Sequence, residues 1–185
     1  NTMSFLPQNY KVPSASEKYY KFQEGENTFR IVSSAIVGYE YWNTHNKPIR
    51  SKQRPRNIPS DMRTDDAGNA QFKHFWAFVV WDYKTKSIKI MEVTQSGIQK
   101  AIKSFADNVK WGNPTGYDIT INKSGEGLET KYTALPNPHS TIDSEVTSAI
   151  NKTRVNLDAL YTGVDPFATS DNSIQDDPFD DGIPL

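Results

Sequence analysis

Eleven side chains between Arg30 and Trp81 supply the two chemistries that hold a flexible polyanion, positive charge and flat aromatic surface. The cations are Arg30, Lys47, Arg50, Lys52, Arg54, Arg56 and Lys73; the aromatics are Trp42, Phe75, Trp76 and Trp81. Lys47 to Arg56 meets no acid before Asp61. A groove of such charges tracks phosphates, and rings stack on bases at about 1–3 kcal/mol each with little regard to sequence. The pattern predicts a surface for single-stranded nucleic acid. Core packing competes for every ring. Alternation puts Trp76 and Phe78 on one side of a strand with His74 and Val80, and Phe75, Trp81 and Tyr83 on the other. The sequence leaves open which set fills the core.

Carboxylates offer a rival chemistry. Asp61, Asp65, Asp66, Asp82 and Glu92 could hold Mg²⁺ for phosphodiester cleavage, since hard cations prefer oxygen ligands. Glu92, however, is followed by Val93-Thr94, without the lysine that a common nuclease arrangement places two residues on. No nucleophile elbow, phosphate-binding glycine loop or metal-binding histidine pair appears. His45, His74 and His139 are isolated, and the absence of cysteine excludes disulfides, thiolate zinc sites and a cysteine nucleophile. The expectation is a binding protein with no catalytic residues, no metal and no cofactor.

Several elements must position the candidate surface. Residues 27–32, running on through 36–42, read as one long strand with Gly38 as its bend. Residues 43–71, with Pro48, Pro55 and Pro59, read as a long polar loop. Phe72 to Tyr83 has the aromatic and β-branched content of a central strand, Lys84 to Ser87 reads as a turn, and Ile88 to Val93 as the next strand. Ile98, Ile102, Phe105 and Val109 recur at helical spacing, predicting a helix from Thr94 or Gln95 to Lys110, capped by Thr94 or Ser96 and ended by Trp111-Gly112-Asn113-Pro114. Residues 117–122 and 128–135 alternate around a Ser124–Gly127 hairpin loop. The order strand, strand, strand, helix, strand, strand predicts a mainly β protein, a five-stranded OB-fold barrel with a helix between strands three and four. OB-folds bind oligonucleotides on the face of strands two and three. Residues 140–161 read as a second, C-terminal helix. The expected organisation is a binding domain over 1–138, a helix or linker over 139–162 and a disordered tail over 163–185.

Charge divides the chain the same way. All 21 basic residues and 15 of the 22 acids precede residue 155, a surplus of six positive charges; the other seven acids follow without a Lys or Arg. Such asymmetry suggests a polyanion-binding body with a like-charged appendage. Asn1 to Val12 lack the apolar run of a signal peptide, and no stretch approaches the ~20 apolar residues of a membrane span. The reading is a cytoplasmic protein, in the host cytoplasm if viral, with no membrane partner.

The tail carries the most specific motif, Asp176-Asp177-Pro178-Phe179-Asp180-Asp181-Gly182-Ile183-Pro184-Leu185. It resembles the tip of bacterial single-stranded DNA-binding proteins and their phage counterparts, where several aspartates precede Ile-Pro-Phe. The acids and Ile183-Pro184 are kept; Gly182 stands where a third acid is common, and Leu185 where Phe fills a pocket in the family's partners. The stretches Lys21–Ile31 and Phe75–Val80 resemble phage members more than the bacterial tetrameric type. The zinc module of the T-even phage version is absent, as no cysteine is present. The resemblance implies sequence-tolerant binding of single-stranded DNA in replication, recombination and repair. It also implies recruitment of a polymerase, helicase or primase through Asp176, Asp177, Phe179, Asp180, Asp181, Ile183, Pro184 and Leu185. An OB-fold module for RNA or protein is the alternative, because 2′-OH contacts leave no sequence signature.

Overall fold

In a computed structural model, which describes residues 4–10, 12 and 15–167, the chain is mainly β. Seven strands form one antiparallel sheet: β1 (Gly25–Ile31), β2 (Ile36–Trp42), β3 (Pro48–Ser51), β4 (Lys73–Asp82), β5 (Ser87–Val93), β6 (Tyr117–Ser124) and β7 (Lys131–His139). Helix α1 (Ser96–Asp107) lies between β5 and β6, where the sequence places it, and α2 (Ser144–Lys152) follows β7.

The organising element is β4. One edge pairs with β5 from Trp76 to Asp82; the other is shared, Lys73–Ala77 with β2 and Val80–Asp82 with β1. The strand read as one run over 27–42 is thus two. The interruption bonds to Val79, whose carbonyl accepts from the Val32 N–H (2.9 Å) and whose N–H donates to the Ser33 hydroxyl (2.8 Å). The connection 43–71 is not all loop either. It supplies β3, paired to β2, and bridges Asn43 to Met62 and Thr64 to Ala70.

The sheet departs from a closed five-stranded barrel in strand number and in closure. It runs β3-β2-β4-β1-β6-β7 with β5 on the far side of β4, and β5 and β7 do not pair. The outer edge of β5 is already taken, because the Tyr20 N–H donates to the Ile90 carbonyl at 2.8 Å. β7 carries Pro136 and Pro138, which lack ladder donors.

Both faces of β4 are buried, which explains its unbroken apolar run. On one face Phe78 and Val80 pack with Phe29, Met91, Ile119 and Ile121 beneath Ile98 and Ile102 of α1. Gln99 ties this helix down, its amide donating to the Val93 and His74 carbonyls. The helix starts after Gln95, which makes no side-chain cap, so neither Thr94 nor Ser96 caps it. It ends at Asp107, leaving Val109 in water instead of on its apolar stripe. The last strand likewise starts at Lys131, with Leu128 exposed in a turn.

On the opposite face Phe75, Ala77, Val79 and Trp81 lie beneath residues 146–161. The single helix expected over 140–161 is two pieces, α2 and a 3₁₀ turn at Leu157–Tyr161, joined by extended residues near Asn156. Val146 from the first piece and Leu157 and Leu160 from the second, with Val155 from the joint, meet β4 and β5. Residues 163–167, expected within the disordered tail, are described: Pro166 accepts from the Asn156 N–H, and Phe167 joins the cluster under the ammonium of Lys18. The remaining tail residues, 168–185, lie outside the described residues.

Gly38 is where β2, β3 and β4 press closest. A Cβ there would sit 2.3 Å from the Ser51 carbonyl oxygen and 3.0 Å from the Phe75 ring. Gly38→Ala should therefore lower the stability measured by urea unfolding by about 1–3 kcal/mol, the cost of overpacking. Gly97→Ala on α1, with nothing within 4 Å, should be neutral or slightly stabilising.

Candidate nucleic-acid interface

The ribbon β2–β3–β4 extends beyond α1 on one side, and there the face that is core elsewhere becomes surface. Val37, Tyr39 and Tyr41 of β2 share this face with Trp76, His74 and Phe72 of β4 and its approach. Tyr39 and His74 face each other across the strands with ring centres 5.2 Å apart, and Tyr41 meets Phe72 edge-on at 5.9 Å. Side chains two residues apart recur every ~6.7 Å along a strand, so the rings form a row. Val37 is half exposed, His74 is exposed, and the other four are partly buried.

Exposed cations lie in the segments that flank β3. Lys47 is exposed in the β2–β3 turn, and Lys52, Arg54 and Arg56 are exposed after β3. The Arg54 guanidinium lies over the Phe72 ring at 5.6 Å, and the Lys52 ammonium over Tyr161 at 5.5 Å. Such cation–π placement keeps the charge available while fixing its position. A row of rings with an arginine seated on its outermost member can stack bases and neutralise phosphates together.

The structure sorts the eleven candidates into two groups. Trp76 lies within the row and Arg54 on its Phe72 ring; Lys52, over Tyr161, and Lys47, beside Leu160, are on the reverse face, and Arg56 is exposed after β3. Trp42 and Lys73 are accessible on the reverse face, beside Arg63. The other four are internal. Phe75 and Trp81 are core residues beneath the C-terminal segment. Arg30 is 1% exposed, its guanidinium donating to Asp118 at 2.7 Å, to the Thr115 and Ser140 carbonyls and to the Ser140 hydroxyl. Its donors serve to hold the start of the C-terminal segment on β1 and β6.

Arg50 is also spent internally, stacked on Phe75 and flanked by Glu92 at 2.5 Å and Glu40 at 3.4 Å. The Glu40 contact is poorly aligned: Glu40 Oε2 and Arg50 Nε are buried without hydrogen-bond partners. Burial pushes the Glu40 carboxyl up to about 8, reinforced by a hydrogen bond to Glu92 and that group's charge, against the pull of Arg50 and Lys73. One guanidinium thus faces two carboxylates.

Tyr39, Tyr41, Phe72 and His74 belong to the surface although sequence reasoning did not select them. Their signal was present in the alternation of Val37, Tyr39 and Tyr41, but the register joining it to Phe72 and His74 is a tertiary fact. The rival carboxylates do not converge. Asp82 pairs with Lys89 at 2.9 Å; burial acts to raise its pKa, but bonds from Lys89, Thr85 and the Lys84 N–H hold it below the usual value. Glu92 serves Arg50, Asp61 accepts from Tyr41, and Asp65 closes a turn by accepting from the Ala67 and Asn69 N–H groups. Among the described residues no three acids or histidines gather as a metal site, and no helix is long and apolar enough to cross a membrane.

The raised Glu40 pKa has a thermodynamic sign. Between the ordinary carboxyl value of 4.5 and about 8, the folded protein keeps a proton that the unfolded chain has released. Stability must then fall as pH rises through that window. The urea midpoint should drop from pH 5 to pH 8, and Glu40→Gln, which keeps the shape without the charge, should make the drop smaller. An equal drop in both proteins would remove Glu40 as its source.

No family model matches the chain, and no solved structure matches it. The chain is similar to a curated "probable ssDNA-binding protein" of Escherichia phage T5, 29% identical over 138 residues. The match takes in 62% of this chain and 53% of the relative, so the chain spans about half the length of the protein it matches.

Proposed function

We propose that this chain binds single-stranded DNA with little sequence preference, through the Tyr39–Tyr41–Phe72–His74–Trp76 row and the cations Lys47, Lys52, Arg54 and Arg56. The observation that carries the reading is the row itself. A sheet that buries rings on both sides of β4 leaves one set open to solvent, with an arginine seated on its outermost ring. The phage T5 similarity supports the same reading. The element order supports an OB-type meander left open between β5 and β7. On this reading, residues 1–138 form the binding domain and 139–162 brace its reverse face. The acid-rich stretch 176–185 recruits replication, recombination or repair proteins such as a polymerase, helicase or primase.

Fluorescence anisotropy with a thymidine oligomer tests the binding. Affinity should exceed that for duplex DNA, and log K should fall with log salt at about −0.7 per phosphate neutralised. Replacing Lys47, Lys52, Arg54 and Arg56 together with Ala should flatten that slope. Phe72→Ala or Tyr39→Ala should weaken binding by about 1–3 kcal/mol with the slope kept. Stronger binding to duplex, or salt-insensitive binding, would sink the proposal; preference for an RNA oligomer would move it to RNA.

Deleting residues 176–185 addresses the tail. A tethered acidic segment competes with DNA for the cations at millimolar effective concentration, and salt screens that competition. The deletion should raise oligomer affinity at low salt, change it less at high salt, and abolish capture of a replication partner. Unchanged affinity and unchanged capture would reduce the stretch to a solubilising appendage.

A further inference from the structure

Where α1 meets the interrupted edge between β1 and β2, the ring row runs into a pocket of about 490 Å³, a size that takes small organic ligands. Trp76 and Phe78 of β4 line it with Ile31, Ile102 and Ala106. Trp76 is also the inner member of the solvent-facing row, paired across the ribbon with Val37. The pocket and the row are therefore one continuous surface.

Its rim is polar. The side-chain oxygen of Asn113 accepts from the Thr115 N–H and hydroxyl, both at 3.0 Å, which fixes the amide so that its NH₂ points elsewhere. Among the described residues that NH₂ donates to nothing. The Ser34 hydroxyl is likewise without a partner there, while the hydroxyl of Ser33 is committed to Val79 and the Ser34 carbonyl. Lys103, paired with Asp107 on the surface of α1, supplies a cation at the mouth. A flat aromatic wall, apolar sides, an amide donor, a hydroxyl and a cation make a complementary set. It fits a planar ring with polar edges attached to an anion. A lipid chain would leave the rim groups unused, and a bare phosphate would leave the apolar walls in water.

From this geometry we infer that the pocket takes one unstacked nucleobase, seated on Trp76 with its polar edge toward Asn113 and Ser34 and its phosphate toward Lys103. The inference rests on the single-strand reading and adds to it a discrete end point for the bound strand. Bases on the open row lie on rings; the base here is enclosed. The interruption at 32–35 that splits the opening strand then has a role, because Ser33, Ser34 and Ala35 line the pocket beside Trp76.

The test uses the full chain. In ¹H–¹⁵N spectra of the unaltered protein, thymidine monophosphate should shift the Trp76 indole and the amides of Ser34, Ala35, Lys103, Ala106 and Asn113; inorganic phosphate should move Lys103 alone. Ala106→Leu, on the exposed side of α1, keeps helix propensity and fills the pocket from its helical wall. It should reduce thymidine-oligomer affinity about tenfold, within the range for one lost stack, with the salt slope and unfolding midpoint unchanged. If the oligomer binds the parent protein and Ala106→Leu equally and the monophosphate leaves the pocket signals in place, the pocket inference fails and the single-strand reading stands. If no oligomer binds, both fail. If deleting residues 176–185 shifts the pocket signals and the monophosphate does not, the pocket belongs to the chain's own tail, and the nucleobase assignment is overturned.

Discussion

Burial of β4 on two faces is the constraint on which the rest of the structure depends. A ten-residue strand with Phe75, Trp76, Phe78 and Trp81 has more apolar surface than one layer can cover. One side is closed by α1 and the strands around it, the other by the C-terminal segment. The segment is held at both ends, by Ser140 on Arg30 and by the Tyr161 hydroxyl donating to the Val37 carbonyl at 2.5 Å. Among the described residues, a patch of the first face stays open where Val37, Tyr39 and His74 reach solvent, and that patch is the candidate site.

The same economy governs charge. A count of basic residues treats Arg30 and Arg50 as equals of Arg54 and Arg56, yet the first pair neutralise internal carboxylates and the second pair face water. Removing Arg30 or Arg50 leaves a partly buried acid, Asp118 or Glu92, without its cation, a larger loss than breaking a solvent-exposed pair. The positive charge presented to solvent is therefore set by the loop cations, with the interior pairs fixing the ribbon that carries them.

What the sequence made legible was local. The central strand, the turn at residues 84–86, the helix between β5 and β6 and the β6–β7 hairpin follow from period and turn residues, and they appear within a few positions. The faces of β4 were separated correctly by alternation, but their fates were not, because the cover for Phe75 and Trp81 arrives from far along the chain, between Val146 and Tyr161. For the same reason Arg30 and Arg50 read as surface cations. Their partners Asp118 and Glu92 lie on other strands, and pairing registers leave no trace in composition. The open sheet was hidden by a similar fact: Tyr20 occupies the β5 edge that closure would need.

The prolines of β7 have a consequence for crowding. A sheet that does not close keeps edges, and an unpaired edge is a template on which another chain can add a strand. Here the β5 edge is occupied, β3 is only four residues long, and β7 places Pro136 and Pro138 in its second half. What remains open on β7 is a short run from Lys131 to Leu135. Many copies of this fold can crowd together without their sheets merging into a fibre.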